Sequence, residues 1–190
     1  MLLDRTQDSR FAAAALAPSA AGQASALEKE VAKLFDQWRA PLLGYLITLR
    51  LPLQEGEEIV QEIFLSLFQH LLRGKSRENL RGWMFRVGHN LALKRRYSLE
   101  REAVQQREQG AWTEVPDLGP NPENALAMKQ RLARLLAVVA ALPEQDRCCL
   151  HLRAEGLRYR EIAAVLGISL GSVAFALGRS LERLRRADGS

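Results

Sequence analysis

The chain has 190 residues, 47% of them hydrophobic, and a formal net charge of +5. This is enough for one ordinary domain or two small helical ones, and the basic excess favours an anionic partner such as nucleic acid. The longest apolar stretches, Phe11 to Pro18 and Leu132 to Leu142, are Ala-rich or broken by Arg and fall short of a membrane span, while Asp4, Arg5, Asp8 and Arg10 break the order of a secretory signal.

In chain order, residues 1–26 form an Ala-rich leader with weak periodicity, expected to be flexible or marginally helical. From Leu27, apolar residues recur at Val31, Leu34, Phe35, Trp38 and Leu42, the rhythm of an amphipathic helix that Pro41 can kink. A second helix is predicted to begin near Gln54, after the Pro52 break. Glu55, Glu57 and Glu58 suit its positive end, and Ile59, Ile63, Phe64, Leu67, Phe68 and Leu71 form its buried face. Arg73-Gly74-Lys75-Ser76-Arg77 reads as a basic loop. The helix after it points Leu80, Trp83, Met84, Val87 and Leu91 inward and aligns Arg86, Asn90 and Lys94 on another face.

Pro116, Gly119, Pro120 and Pro122 mark an extended linker, and a second domain is predicted to start near Glu123. Leu126, Leu132, Leu135, Leu136 and Val139 line one helix that ends before Pro143; Glu144 to Ala154 is another, closed by Gly156. No strand-like alternation occurs, so the fold class is all-α: two small helical domains joined by a flexible linker, with boundaries at 1–26, 27–98, 99–124 and 125–187.

Charge is unevenly spread. Arg73 to Arg107 carries ten Lys or Arg against three Glu, whereas Glu108 to Glu123 carries four acids and no base. The adjacent Cys148 and Cys149 are poorly placed to bond each other and are expected to be reduced and packed. His151 is nearby, but the spacing is not that of a metal site; no metal, cofactor or catalytic residue is expected.

Tyr159 to Leu177 reads YREIAAVLGISLGSVAFAL, the spacing of a helix-turn-helix. Small Ala163 permits close helix approach, Gly167 can take the positive φ of the turn, and Val173 locks the second helix against Ile162 and Leu166. Ser169 is placed to cap that helix, whose first residues would enter a major groove. Arg158, Arg160, Arg179, Arg183, Arg185 and Arg186 surround it with phosphate-binding charge.

Three segments together resemble the extracytoplasmic-function (ECF) group of the sigma-70 family of bacterial RNA polymerase sigma factors, over most of residues 28–187. EEIVQEIFLSLF (Glu57 to Phe68) is similar to that family's acidic helix, and LRGWMFRVGHNLALKRR (Leu80 to Arg96) to its tryptophan-bearing basic helix. ALPEQDRCCLHLRAEGLRYREIAAVLGISLGSV resembles the start of its second domain.

The resemblance implies a cytoplasmic, non-enzymatic subunit in which residues 27–98 are sigma region 2 and residues 125–187 are sigma region 4. The first would bind the polymerase core and melt the promoter; the second would read the upstream element. The implied core-binding residues are Glu58, Gln61 and Glu62. Those for the −10 element are Arg73, Lys75, Ser76, Arg77, Asn79, Arg86, Asn90, Lys94, Arg95 and Arg96. For the −35 element they are Arg158, Arg160, Ser169, Ser172, Phe175, Arg179 and Arg183. The implied partners are the core's β′ clamp and β flap and promoter DNA, and the resemblance allows an anti-sigma factor. One departure matters. Ala174, Phe175 and Ala176 stand where the family usually carries Lys-Ser-Arg-like residues, which calls hydrogen-bonded base reading by this helix into question. Ser172 and Arg179 remain for phosphate or base contacts and Ala or Phe for a thymine methyl, while the alternatives are a second domain that binds DNA weakly or one that uses Phe175 against a protein.

Two rivals are an operator-binding helix-turn-helix regulator that works without polymerase core and a nucleic-acid enzyme. The acidic helix and the basic helix around Trp83 speak against the first. The second would need convergent carboxylates or a His/Asp site, whereas the acids here sit on helix starts and the linker; Glu55, Glu58 and Glu62 do share a helical face, and a metal assay would discriminate.

Overall fold

The computed structural model describes residues 20–108 and 126–188, which form seven helices and, among the described residues, no strand. They are α1 (Ala20–Thr48), α2 (Leu53–Leu72), α3 (Leu80–Glu108), α4 (Leu126–Ala140), α5 (Glu144–Ala154), α6 (Tyr159–Leu166) and α7 (Leu170–Asp188). The expected all-α class is what the chain adopts.

Helix α1 begins at Ala20, inside the segment assigned to the leader; residues 1–19 lie outside the described residues. Pro41 sits within α1, and the helix continues past it. Helix α3 runs on to Glu108, through residues assigned to the linker, the rest of which lies outside the described residues.

Helices α1, α2 and α3 pack on one another around Tyr45, Leu46, Ile59, Ile63, Leu67, Met84 and Phe85, each buried almost completely. Gly56 lies at the contact of α1 with α2, where a Cβ would come within 2.9 Å of Leu43 Cδ1, the end of a side chain that can move aside. In the second half α7 packs against α4, α5 and α6, with Leu152, Leu157, Ile162 and Val173 buried. Helix α4 departs from the expected pattern: Leu135 and Val139 are half-buried, but Leu132 and Leu136 stand exposed. The helix packs mainly on α7, which covers only a narrow strip of an apolar face that the sequence makes broader.

The two halves also touch, α5 lying on α1 and α6 on α3, so their buried residues form one continuous cluster. Arginines join them by capping helix ends across the junction. Arg147 of α5, itself buried, donates from Nε (3.1 Å) and Nη2 (2.9 Å) to the carbonyl of Thr48, the last residue of α1. Its Nη1 reaches the Leu142 carbonyl at 3.2 Å. In the other direction Arg81 of α3 donates to the carbonyls of Glu155 (3.2 Å) and Gly156 (3.1 Å) at the end of α5. A cation at a helix C-terminus meets the negative end of the dipole and satisfies carbonyls that have no partner within the helix. Arg96 and Glu144 add an ion pair at 2.7 Å.

Polar groups line the same junction. Tyr45 Oη and His89 Nδ1 are 2.8 Å apart, and Thr48 Oγ1 lies 3.1 Å from His151 Nδ1. Burial pushes both imidazoles below the usual histidine value. Cys148 and Cys149 are free thiols, both buried; burial pushes Cys148 up to about 12 and Cys149 to about 11. The sequence expectation of reduced, packed cysteines fits both facts.

Candidate nucleic-acid interface

Helices α6 and α7 meet at 106°, within the usual range for a helix-turn-helix. The turn follows from local sequence. Gly167 ends α6 in the left-handed region at φ 66°, and Ser169 Oγ accepts the Ser172 backbone N–H at 3.0 Å, capping α7. Ser172 Oγ lies 2.9 Å from Ser169 Oγ, so both hydroxyls contribute to the cap. At the other end of the motif, the Arg158 backbone N–H donates to Glu161 Oε2 at 2.6 Å, which fixes the start of α6. Val173 is fully buried with Ile162 and Val165, as a locking residue must be.

Around this motif Arg158, Arg160 and Arg183 are exposed, and Phe175 is 68% exposed. Arg179 behaves differently. Its Nε and Nη2 form a two-point pair with Asp146 Oδ2 (2.7 Å) and Oδ1 (2.6 Å), and its guanidinium lies 4.8 Å from the centre of the Phe175 ring. The Asp146 side chain is completely buried, and hydrogen bonding to this carboxylate raises Arg179 above the usual guanidinium value. Sequence reading passed over Asp146, because an acid in the first turn of α5 already has an explanation in the helix dipole.

In the first half, Arg86, Asn90 and Lys94 are exposed and follow one another along α3, with exposed Leu93 and Tyr97 beside them. The loop before α3 exposes Arg73, Lys75, Ser76, Arg77 and Asn79. Several of its groups have local partners. Ser76 Oγ accepts the Glu78 N–H at 3.1 Å, its carbonyl lies 2.9 Å from His70 Nε2, and Arg77 pairs with Glu30 of α1. Asn79 takes φ 51° and uses its side-chain oxygen to accept the Gly82 N–H at 3.1 Å, tying down the first turn of α3.

On α2, Glu58, Gln61 and Glu62 are exposed together. Arg95 bridges from α3 to Glu55 (2.6 Å) and Glu58 (3.3 Å), so this arginine and the acidic face are already linked. Arg96 is paired with Glu144. The structure thus gathers the suggested residues into three surfaces: the acidic α2 face, the basic α3 face with its loop, and the helix-turn-helix. Arg95, Arg96 and Arg179 are engaged in ion pairs that sequence reading did not find. Among the described residues no three His, Cys, Asp or Glu converge into a metal-holding group, and no single helix is long and apolar enough to cross a membrane.

Comparison with known proteins gives a consistent picture. Residues 132–184 match the family described as Sigma-70, region 4. The ECF RNA polymerase sigma factor RpoE of Cereibacter sphaeroides is 29% identical over 162 residues, covering 84% of this chain and 86% of that protein. The ECF RNA polymerase sigma factor SigE of Mycolicibacterium smegmatis is 32% identical over 135 residues, 69% of this chain but 51% of the relative. Two solved structures share the fold. Sigma factor RpoE of Bartonella quintana, in complex with the anti-sigma factor NepR, has a TM-score of 0.63 at 21% identity, covering 84% of this chain and 96% of its own. CnrH in complex with the cytosolic domain of CnrY has a TM-score of 0.56 at 22% identity, covering 87% and 92%.

Proposed function

We propose that the chain is a member of the extracytoplasmic-function group of the sigma-70 family, which it resembles in sequence and fold, and that it binds RNA polymerase core and directs promoter recognition, melting and initiation. The observation that carries the reading is the capped helix-turn-helix of α6 and α7, inside the segment matched by sigma-70 region 4 and preceded by a three-helix unit with one acidic and one basic face. Promoter DNA and the polymerase core are its partners, and the solved sigma factor RpoE bound to the anti-sigma factor NepR supports an anti-sigma factor as a third.

The division of labour follows from the surfaces. The α2 face with Glu58, Gln61 and Glu62 presents carboxylates to a basic partner, the role of a contact to the β′ clamp. Arg86, Asn90 and Lys94, with the loop from Arg73 to Asn79, form a track for the opened strand. An unstacked base costs a few kcal/mol there, which phosphate and stacking contacts must offset. For Arg95 and Arg96 to join that track, their pairs with Glu55, Glu58 and Glu144 must be exchanged for phosphates. The second half, with its region 4 fold, reads the upstream element and meets the β flap. The chain acts in the cytoplasm as a subunit without catalysis of its own.

The test is co-elution of the purified chain with bacterial core polymerase, followed by transcription from a randomised promoter library. Core-dependent, sequence-selective initiation is expected. Glu62→Arg should reduce core binding, whereas Asn90→Ala should leave core binding intact and slow open-complex formation. DNA binding by the chain alone, with no affinity for core, would overturn the reading in favour of an operator-binding regulator.

A further inference from the structure

The face that α7 turns outward is unusual for a helix that enters a DNA groove. Leu170, Gly171, Ala174, Phe175, Gly178 and Leu181 follow one another at helical spacing and are all exposed, yet none carries a side-chain hydrogen-bond donor or acceptor. The polar groups at the same level already have partners within the protein. Ser172 is bound up with the Ser169 cap, and Arg179 is held at two points by the buried carboxylate of Asp146. Drawing Arg179 away to reach a guanine would take from the fully buried Asp146 side chain both of its hydrogen bonds to the guanidinium, which is unfavourable.

What Arg179 does instead is visible in the geometry. Its guanidinium, fixed by Asp146, lies against the Phe175 ring at 4.8 Å and gives that exposed ring a wall to stand on. The result is a braced apolar knob in the middle of the helix. On either side of it the surface is cationic, with exposed Arg158 and Arg160 before the turn and Arg183 and Arg185 beyond. Cations flanking an apolar strip match a polyanion whose interior edge offers an apolar group. In the major groove of DNA that group is the C5-methyl of thymine.

We propose that Phe175, together with Ala174, reads thymine methyl groups in the upstream promoter element, and that Arg179 is a positioning residue anchored by Asp146. This rests on the sigma-factor reading and specifies how its second half would discriminate sequence.

The experiment uses the reconstituted holoenzyme. Upstream elements selected from a randomised library should contain thymine at one or more positions beneath α7. Templates in which those thymines are replaced one at a time by uracil lose the methyl group and nothing else. Initiation at limiting holoenzyme should fall about fourfold for each methyl contacted, the effect of uncovering one buried carbon. Phe175→Ala, a change at an exposed position, should lower the thymine-to-uracil ratio, leaving only the share contributed by Ala174. Asp146→Asn and Arg179→Lys should lower the thymine-to-uracil ratio although neither side chain reaches the methyl, a readout that general loss of stability would not move. Equal initiation from thymine and uracil templates by the unaltered protein would overturn the proposal. So would selection of guanine-rich elements whose recognition depends on Arg179 and not on Phe175. Absence of core-dependent initiation on every template is a separate result, which would remove the sigma-factor reading and this proposal with it.

Discussion

Replacing Arg147 by Met keeps much of the apolar volume of the side chain and removes the guanidinium that joins the two halves. Two of its three hydrogen bonds, both to the Thr48 carbonyl, cross the junction; the third, to Leu142, stays within the second half. A hydrogen bond from a charged donor contributes about 1 to 1.5 kcal/mol net in a partly buried setting, so the pair stabilises the closed arrangement by about 2 to 3 kcal/mol. That corresponds to a rise of about 30- to 150-fold in the opening constant. Cys148 supplies the assay. Its thiol is 2% exposed and interacts with Tyr45 of α1, so it is shielded in the closed form and uncovered when α5 leaves α1. In a Cys149→Ala background, the labelling rate of Cys148 by a thiol reagent should rise by that factor in Arg147→Met, provided reclosing outpaces labelling. The helical far-ultraviolet spectrum should stay unchanged. An unaltered labelling rate with the fold intact would refute the assignment of Arg147 as a clasp; a higher rate accompanied by loss of helix would show that Arg147 supports the second half itself.

Two more expectations concern pH and the turn. Burial holds His89 and His151 below the histidine value of 6.5, so the unfolded chain binds protons more readily than the folded one. Stability should therefore be fully present above pH 6.5 and decline as pH falls below it, with a smaller decline in His151→Gln; a urea midpoint that holds or rises between pH 7 and 5.5 would contradict this. The charged neighbours at these rings act in opposing senses, Glu144 and Glu155 raising and Arg96 lowering, and do not cancel burial. Gly167→Ala and Gly178→Ala should move stability in opposite directions. At Gly167 φ is 66° and a Cβ would meet nothing within 4 Å, so backbone strain alone lowers stability by about 1 kcal/mol. At Gly178, within α7 and equally open, alanine should raise it by about 0.5 to 1 kcal/mol, readable as opposite shifts of the thermal midpoint.

The elements that could be read from sequence carry their own punctuation. Pro143 and Gly156 enclose α5, and Gly167 and Ser169 separate α6 from α7, so these boundaries coincide with local chemistry. Two limits lie elsewhere than expected: α1 starts at Ala20, directly after Pro18 and Ser19 in the sequence, a start signal hidden in the Ala-rich leader, and no breaker stops α3 before Glu108. Periodicity indicated that α4 is amphipathic but not how much of its face a neighbour covers, so Leu132 and Leu136 were expected inside and stand outside. The candidate surfaces on α2 and α3 could be read because each is formed by one helix. The pairs of Arg95 with Glu55, Arg96 with Glu144 and Arg179 with Asp146 could not, since each joins helices far apart in sequence.

The junction between the halves rests on guanidinium groups seated on backbone carbonyls more than on paired opposite charges. Dissolved ions screen the attraction between separated charges but weaken a short contact between a partly buried cation and a carbonyl much less. Phosphate contacts respond in the opposite way, losing affinity steeply as counterions are restored to the DNA. Raising ionic strength should thus strip the chain from nucleic acid well before it parts α5 from α1, making salt a bias toward the state in which Arg147 holds Thr48 and Arg81 holds Glu155 and Gly156.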